Sequence, residues 1–510
     1  MTNDQGQMKN AKGPMKNTNQ RLHPSTILPF LAFNASSAIR HLSLSICHWA
    51  FVILSLSACK AVGPDYQRPD MPKSAHWKEG ATVSQTRLPD EWWKLFGSSE
   101  LNRLVSRAFA HNQDLRGAYA KVETARALVG VKRADWFPAL NLNGSASDQR
   151  ASAAVVNQNI PPAFAKSYSP KLETQNYRGT FDLSWEPDFW GKIRRSVESA
   201  QASADAAADT LTAQRLSLAA EVARNYFLVQ SLDNQRRVLE GTIRLREESL
   251  SMQTAKFKAG LANDSDSSRA RAELELARAD ISSVVRQRGA AEHAIAVLCG
   301  EAPANFSVRG GAALSAPVIN AGLPSTLLQR RPDIRAAEKQ LHAASANIGV
   351  AEAAFFPDFK LTGSAGLNSL SPATFLNWEN RILSIGPSVT FPVFDAGRNK
   401  ANLAASKATY DQNLATYRQT LLVAFREVED SLLDIRAYGH QIAALSAALD
   451  AARETEKLAR ERYNKGLATY FEVVDANRTG LQTELTLEQT RAQRTIASIA
   501  LCKALGGGWR

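Results

Sequence analysis

The chain has 510 residues, 44% of them hydrophobic and 22% charged, with a formal net charge of +12. That composition excludes a disordered tail and a collagen-like fibre, and four scattered cysteines, Cys47, Cys59, Cys299 and Cys502, exclude a small disulfide scaffold. Its 28 glycines and 20 prolines form no linker-like tract, so one elongated body is expected, not a string of domains.

Residues 1–58 carry Lys9, Lys12, Lys16, Arg21 and Arg40 against Asp4 alone, a local +4 that leaves +8 (12 − 4) for the rest. After Arg40, an apolar stretch runs from Leu42 to Ala58, too short to span a bilayer comfortably and stay there. Leu56-Ser57-Ala58-Cys59 conforms at all four positions to a bacterial lipoprotein box. Cleavage before Cys59 and lipidation of its thiol and new amino group are therefore expected, since each buried CH₂ contributes ~0.8 kcal/mol and several chains anchor permanently. The alternative is that Cys59 merely ends a membrane anchor. Residues 1–39 are longer and more polar than such a signal requires.

Beyond Cys59 the chain contains itself twice. Gly191 aligns with Gly397, Glu221 with Glu427, Gly260-Leu261 with Gly466-Leu467 and Gly300 with Gly506, all at an offset of 206 (397 − 191, 466 − 260). Upstream, Asp114 matches Asp333, Pro138 matches Pro357 and Gly144 matches Gly363, at an offset of 219 (333 − 114). The difference of 13 (219 − 206) places one extra loop segment in the first copy, between about Ser147 and Tyr177, where Pro161, Pro162 and Pro170 punctuate a polar stretch. The expected division is an N-terminal signal over 1–58, a first repeat over 59–300 and a second over 301–510.

Each copy reads helix, strand, loop, strand, long helix, turn, long helix. Apolar spacings of three and four, as in Leu216, Ala219, Ala220, Ala223 and Phe227, mark the helices. No proline lies between Gly191 and Gly260, and a continuous helix of that span reaches roughly 100 Å at ~1.5 Å per residue. Basic residues alternate with acidic ones, as in Arg269-Ala-Arg-Ala-Glu273 and Arg453-Glu-Thr-Glu-Lys457, which predicts solvated helical faces and no nucleic-acid surface. Between helices the period falls to two. Leu140–Asn143, Phe181–Trp185, Phe359–Thr362 and Ile385–Val393 alternate apolar with polar, and Trp185, Phe359 and Phe391 near strand ends are candidates for an aromatic girdle.

Amphipathic strands in an exported lipoprotein meet a geometric constraint. Strands cross lipid only as closed barrels, which begin at about eight strands, so four per chain require partners. Two or three chains would make about eight or twelve strands, and only the larger number leaves a wide lumen. The fold class expected is a mixed α and β membrane protein: two internal repeats, and four β-strands per chain completing a twelve-stranded trimeric β-barrel that continues as a long α-helical barrel.

Trp92-Trp-Lys-Leu-Phe-Gly97-Ser-Ser-Glu-Leu101, Leu328-Gln-Arg-Arg-Pro-Asp-Ile-Arg335-Ala-Ala-Glu338, the Phe356-Pro357 step and Lys503-Ala-Leu-Gly-Gly-Gly-Trp509 together resemble the TolC-like outer-membrane efflux lipoproteins of the NodT type, over nearly all of Cys59–Arg510. The resemblance implies a homotrimeric exit duct in the outer membrane that docks onto a periplasmic adaptor and an inner-membrane resistance-nodulation-division pump. It implies further that the hairpin tips form the gate and docking surface. Gly260 and Gly466 would begin the tip turns, the family's common acid just beyond each turn would fall on Asp266 and Asp475, and Leu261 and Leu467 would help dock the adaptor. The residues allow a plainer reading of Asp266 as a helix N-terminal dipole partner. The first turn departs from the family in its polar Asp264, Ser265, Ser267 and Ser268. Lys60 stands where an Asp would retain a lipoprotein at the inner membrane, which implies sorting to the outer one.

An enzyme is not expected. The eight histidines show no metal-ligand spacing, neither G-x-S-x-G nor a full phosphate loop occurs, and Gly191-Lys192 is followed by Ile. No catalytic residue, metal or cofactor is assigned, and Cys299 and Cys502 read as small core residues. A coiled-coil structural lipoprotein would explain the helices and Cys59 but not the strands or the repeat.

Overall fold

A computed structural model describes residues 61–70, 76–79, 88–154, 172–310, 316–319 and 330–508. The chain divides into two compact units, Met1–Cys59 and Lys60–Arg510, and every described residue belongs to the second. The signal segment, Cys59, Lys60, Pro161, Pro162, Pro170, Leu328, Gln329 and Trp509 lie outside the described residues.

Two glycines start the two longest helices. Gly191 (φ +81°) and Gly397 (φ +83°) take the left-handed conformation that an L side chain resists, turning the chain from extended to helical. From them run α3 (Lys192–Lys258) and α6 (Arg398–Asn464), each 67 residues long, or about 100 Å at ~1.5 Å per residue. The returning helices α4 (Asp264–Leu298) and α7 (Tyr470–Ala504) are 35 residues each. Both pairs repeat at the expected offset of 206 (398 − 192, 470 − 264).

Two shorter helices, α2 (Gln113–Ala134) and α5 (Pro332–Ala353), repeat at 219 (332 − 113), as do the strands β1 (Ala139–Arg150) and β3 (Asp358–Ser369) (358 − 139). The offset therefore changes after β1. Residues 151–172 connect β1 to β2 (Glu173–Trp185), whereas 370–380 connect β3 to β4 (Arg381–Thr390), so the extra segment falls where expected. One boundary is corrected: β4 stops at Thr390, three residues before Val393, because Pro392 has no N–H to continue a ladder.

The four strands form one antiparallel sheet in the order β1-β2-β3-β4, with β1 and β4 as its edges. The register puts Leu140, Leu183, Gly363 and Ile385 in one row and Leu142, Phe181, Ala365 and Leu383 in the next, all on one face. Most of these large apolar side chains are exposed. The opposite face is polar. There Asn143 Nδ2 (2.6 Å) and Thr180 Oγ1 (3.2 Å) both donate to Asp182 Oδ2. A sheet oily on one side and wet on the other, with neither side covered by a helix, fits a barrel wall between lipid and a water-filled lumen.

The soluble core gathers around the middle of α3. Trp92, Trp93 and Phe96, on a single tight turn, pack with Leu101, Leu104 and Val105 of α1 (Ser99–His111) against Ala219, Ala223 and Phe227. Ser98 caps α1 by accepting from the Leu101 N–H (3.2 Å), and its hydroxyl meets that of Tyr226 (2.8 Å). The alanines permit this close approach: α3 packs along α2, α4, α5 and α7. Cys299 and Cys502 are buried and unpaired, as expected, and burial pushes their thiols up to about 11 and about 12.

A strap that no sequence pattern announces crosses the base of the sheet. The Val62 N–H donates to Trp190 O (3.0 Å). Buried Arg195 donates to the carbonyls of Val62 and Gly63 (3.3 Å each) and to Asp65 Oδ1 (2.7 Å). Tyr66 stacks on His342 with ring centres 4.5 Å apart, and His342 Nε2 lies 2.8 Å from Glu198 Oε1.

Candidate functional site

The two hairpin tips are built alike. At the end of α3 the Gly260 N–H donates to Phe257 O (2.9 Å) and the Leu261 N–H to Lys256 O (2.9 Å). At the end of α6 the same pair recurs as Gly466 to Tyr463 O (3.0 Å) and Leu467 to Arg462 O (2.8 Å). These are paired C-cap bonds that close on a left-handed residue, and Gly260 (φ +72°) and Gly466 (φ +73°) supply it. The leucine after such a glycine commonly folds back on its own helix. Here Leu261 is 78% exposed and Leu467 67%, so the closing of the turns does not account for them.

The next helix starts differ. Asn263 caps α4, its side chain accepting from Ser265 N (3.2 Å), with Asp264 and Asp266 in the first turn. Thr469 caps α7 in a reciprocal box with Glu472. Subtracting 206 makes Glu472 the counterpart of Asp266, while Asp475 corresponds to Arg269. The structure thus separates the two candidate gate residues. Asp266 is half-buried in the first turn of α4, where the helix dipole favours it, and lines an open recess of about 760 Å³ between the tips with Leu261, Arg269, Gly466 and Phe471. Asp475 lies further along α7, is exposed and stands outside that recess.

Contacts across the tips tie the hairpins together. Tyr463 donates to Gln253 Oε1 (3.0 Å), the Lys256 ammonium sits 4.4 Å from the Tyr463 ring centre, and Ser249 meets the Tyr470 hydroxyl at 2.8 Å. Arg269 lies over the Phe471 ring at 4.9 Å. Above them Glu273 departs from the solvated face expected of its segment: it is 5% exposed. Its Oε2 is 3.1 Å from Arg246 Nη2 of α3, and its Oε1 accepts from Arg478 of α7, so one carboxylate links three helices of both hairpins. Its burial depends on helices the sequence does not show to be neighbours. Beside it a cavity of about 250 Å³ is lined by Met252, Leu449, Tyr470, Val474 and Leu481.

At the other end, the aromatic residues expected as a girdle gather where sheet meets helix. Trp185 Nε1 donates to Trp136 O (3.0 Å), Phe359 packs edge-on to Phe189 at 5.0 Å, and Phe391 is exposed just past β4. No helix among the described residues is long and apolar enough to cross a membrane. Nor do the described residues group His, Cys, Asp or Glu as a metal site.

The family of outer membrane efflux proteins matches residues 104–301 and 323–507, one repeat each. The chain belongs to the outer membrane efflux protein family. Outer membrane protein OprJ of Pseudomonas aeruginosa is 33% identical over 463 residues, covering 90% of this chain and 95% of OprJ. The solvent efflux pump outer membrane protein SrpC of Pseudomonas putida is 33% identical over 469 residues, covering 90% and 97%. The solved outer-membrane channel OprN superposes with a TM-score of 0.80 at 30% identity, over 88% of this chain and 99% of that one. As an outer membrane efflux protein, the chain is a transport duct and no enzyme, and it has the mixed helix-and-strand fold of the trimeric channels. It resides in the outer membrane as the channel component of an efflux system.

Proposed function

We propose that three copies of this chain form an exit duct, lipid-anchored through Cys59, that receives small toxic molecules, drugs or solvents among them, from an inner-membrane pump through a periplasmic adaptor. The observation that carries the reading is the sheet: four strands, one exposed apolar face, one polar face, and both edges unpaired among the described residues. Four strands leave two costly edges in lipid, and three such sheets joined edge to edge leave none. The long helical hairpins would then extend together from one end of the barrel into the periplasm. The units would be a signal over 1–58 and two repeats over 59–300 and 301–510.

In this reading Asp475 is the gate carboxylate. It is exposed on the returning helix of the second hairpin, and threefold symmetry turns one exposed acid into a ring that repels anions and attracts cations. Asp266 contributes less, because its place in the first turn of α4 already accounts for it as a helix-dipole partner. Leu261 and Leu467, exposed beside Gly260 and Gly466, are the contacts offered to the adaptor.

Single-channel conductance of the mature protein in a planar bilayer, beside Asp475→Ala, tests the proposal. A small closed-state conductance that rises in the variant is expected. Inserted trimers that conduct in neither form would overturn the duct, and a variant that conducts like the parent would overturn the gate.

A further inference from the structure

The apolar face of the sheet changes character at the end remote from the helices. Going outward, the Leu142–Phe181–Ala365–Leu383 row is followed by Gly144, Gly179, Leu367 and Arg381. Two glycines leave a notch there, and the β3–β4 connection folds back to fill it. The Phe375 ring lies 3.1 Å from where a Cβ on Gly179 would stand, and Gly179 alternates with Phe181 and Leu183, so the ring covers the apolar side. With Phe375 fixed, the connection presents Leu376 (83% exposed) and Trp378 (76% exposed) at the rim.

Arg381 completes the feature. It opens β4 on the same face as Leu383 and Ile385, its guanidinium lies 4.8 Å over the Trp378 ring, and its Nη1 donates to Trp378 O (2.9 Å). Those two contacts hold the side chain in place without neutralising it, and among the described residues no carboxylate lies within ion-pair distance of it. An unneutralised guanidinium, preorganised above apolar side chains and beside an exposed indole, matches a phosphate that sits directly above acyl chains. The apolar band below it spans nine residues of β3, Phe359 to Leu367, or about 26 Å along the strand.

We propose that Phe375, Leu376, Trp378 and Arg381 form a binding site for the phosphorylated glycolipid of the outer leaflet, with Arg381 and the indole of Trp378 receiving a lipid A phosphate and Leu376 its acyl chains. The assignment to that leaflet rests on the reading that the helices are periplasmic, which turns this rim outward.

The test uses trimers of the full mature chain in detergent, titrated with bis-phosphorylated lipid A, dephosphorylated lipid A, phosphatidylglycerol and phosphatidylcholine, with bound lipid counted by native mass spectrometry. Bis-phosphorylated lipid A is expected to bind at least tenfold more tightly than the other three. Arg381→Ala should lose that tenfold preference, Arg381→Lys should recover part of it, and Trp378→Ala should weaken all lipids. Equal binding by Arg381→Ala and the parent would overturn the site, and equal binding of phosphatidylglycerol would overturn lipid A as its occupant. Conductance of Arg381→Ala, expected to match the parent, separates the two readings: a parent that fails to conduct defeats the duct without touching this site.

Discussion

Arg269 and Asp475 hold equivalent places at the two tips, each the sixth residue of its returning helix, and carry opposite charge. The two hairpins therefore do not present a repeated acid to a common axis. Of this pair it is Asp475 that is exposed, while Arg269 is half-buried and lies over the Phe471 ring 4.9 Å away. Reversal-potential measurements on Asp475→Asn are expected to show reduced cation preference, and Asp266→Asn a change less than half as large. Equal effects would mean that the first-turn acid also faces the pore.

Glu273 is a buried anion held between two arginines from different helices. Removing its charge leaves Arg246, whose pKa burial already lowers, without its ion-pair partner. Breaking such a pair costs about 3–5 kcal/mol. Glu273→Gln is expected to lower the thermal midpoint clearly. Arg478→Ala, which removes a side chain more than half exposed, should lower it much less. Circular dichroism melts of the three proteins decide it.

The strap rests on glycine contacts. A Cβ on Gly63 (φ +95°) would lie 2.4 Å from Gly349 Cα, and one on Gly349 would lie 2.8 Å from Val62 O. Neither neighbour is a flexible side-chain end, so the backbone itself must move. Gly63→Ala and Gly349→Ala are each expected to release residues 61–68, seen as rapid proteolytic loss of the segment while the helical signal stays intact.

Much of the architecture was legible because it is periodic. The two long hairpins repeat to the residue at the offset of 206 read from the sequence, and alternation located all four strands. The strap was not legible: its partners Arg195, Glu198 and His342 lie over a hundred residues away and obey no period. The same holds for Glu273, which reads as one acid among many until α7 is laid against α4. Pairing Asp266 with Asp475 was a resemblance and not a repeat; the offset alone leads to Glu472.

Acid should loosen the strap. Burial pushes the Glu198 carboxyl up, but hydrogen bonds from Arg195 and His342 outweigh it and hold the group below the ordinary glutamate value of 4.5. A depressed carboxylate stabilises the fold above its unfolded pKa, and that contribution is lost as pH falls through the lower folded value. Melts of the parent and Glu198→Gln are expected to differ at about pH 6 and to converge as the pH falls below the ordinary glutamate value and through the lower folded one. A constant difference across that range would assign the effect of Glu198 to packing.

Export itself is tested at the second tip. A Cβ on Gly466 would have nothing within 4 Å, so the backbone cost of a side chain there is that of a positive φ, about 1–2 kcal/mol, which a core of this size tolerates. Gly466→Trp should therefore leave trimers assembled on a native gel while abolishing drug export in cells that depend on this duct. Leu467→Asp, at an exposed position that caps nothing with its side chain, should do the same with no change in melting temperature. Wild-type export from both variants, with trimers intact, would remove the tip from the docking surface and return Gly466 and Leu467 to the closing of their own turn.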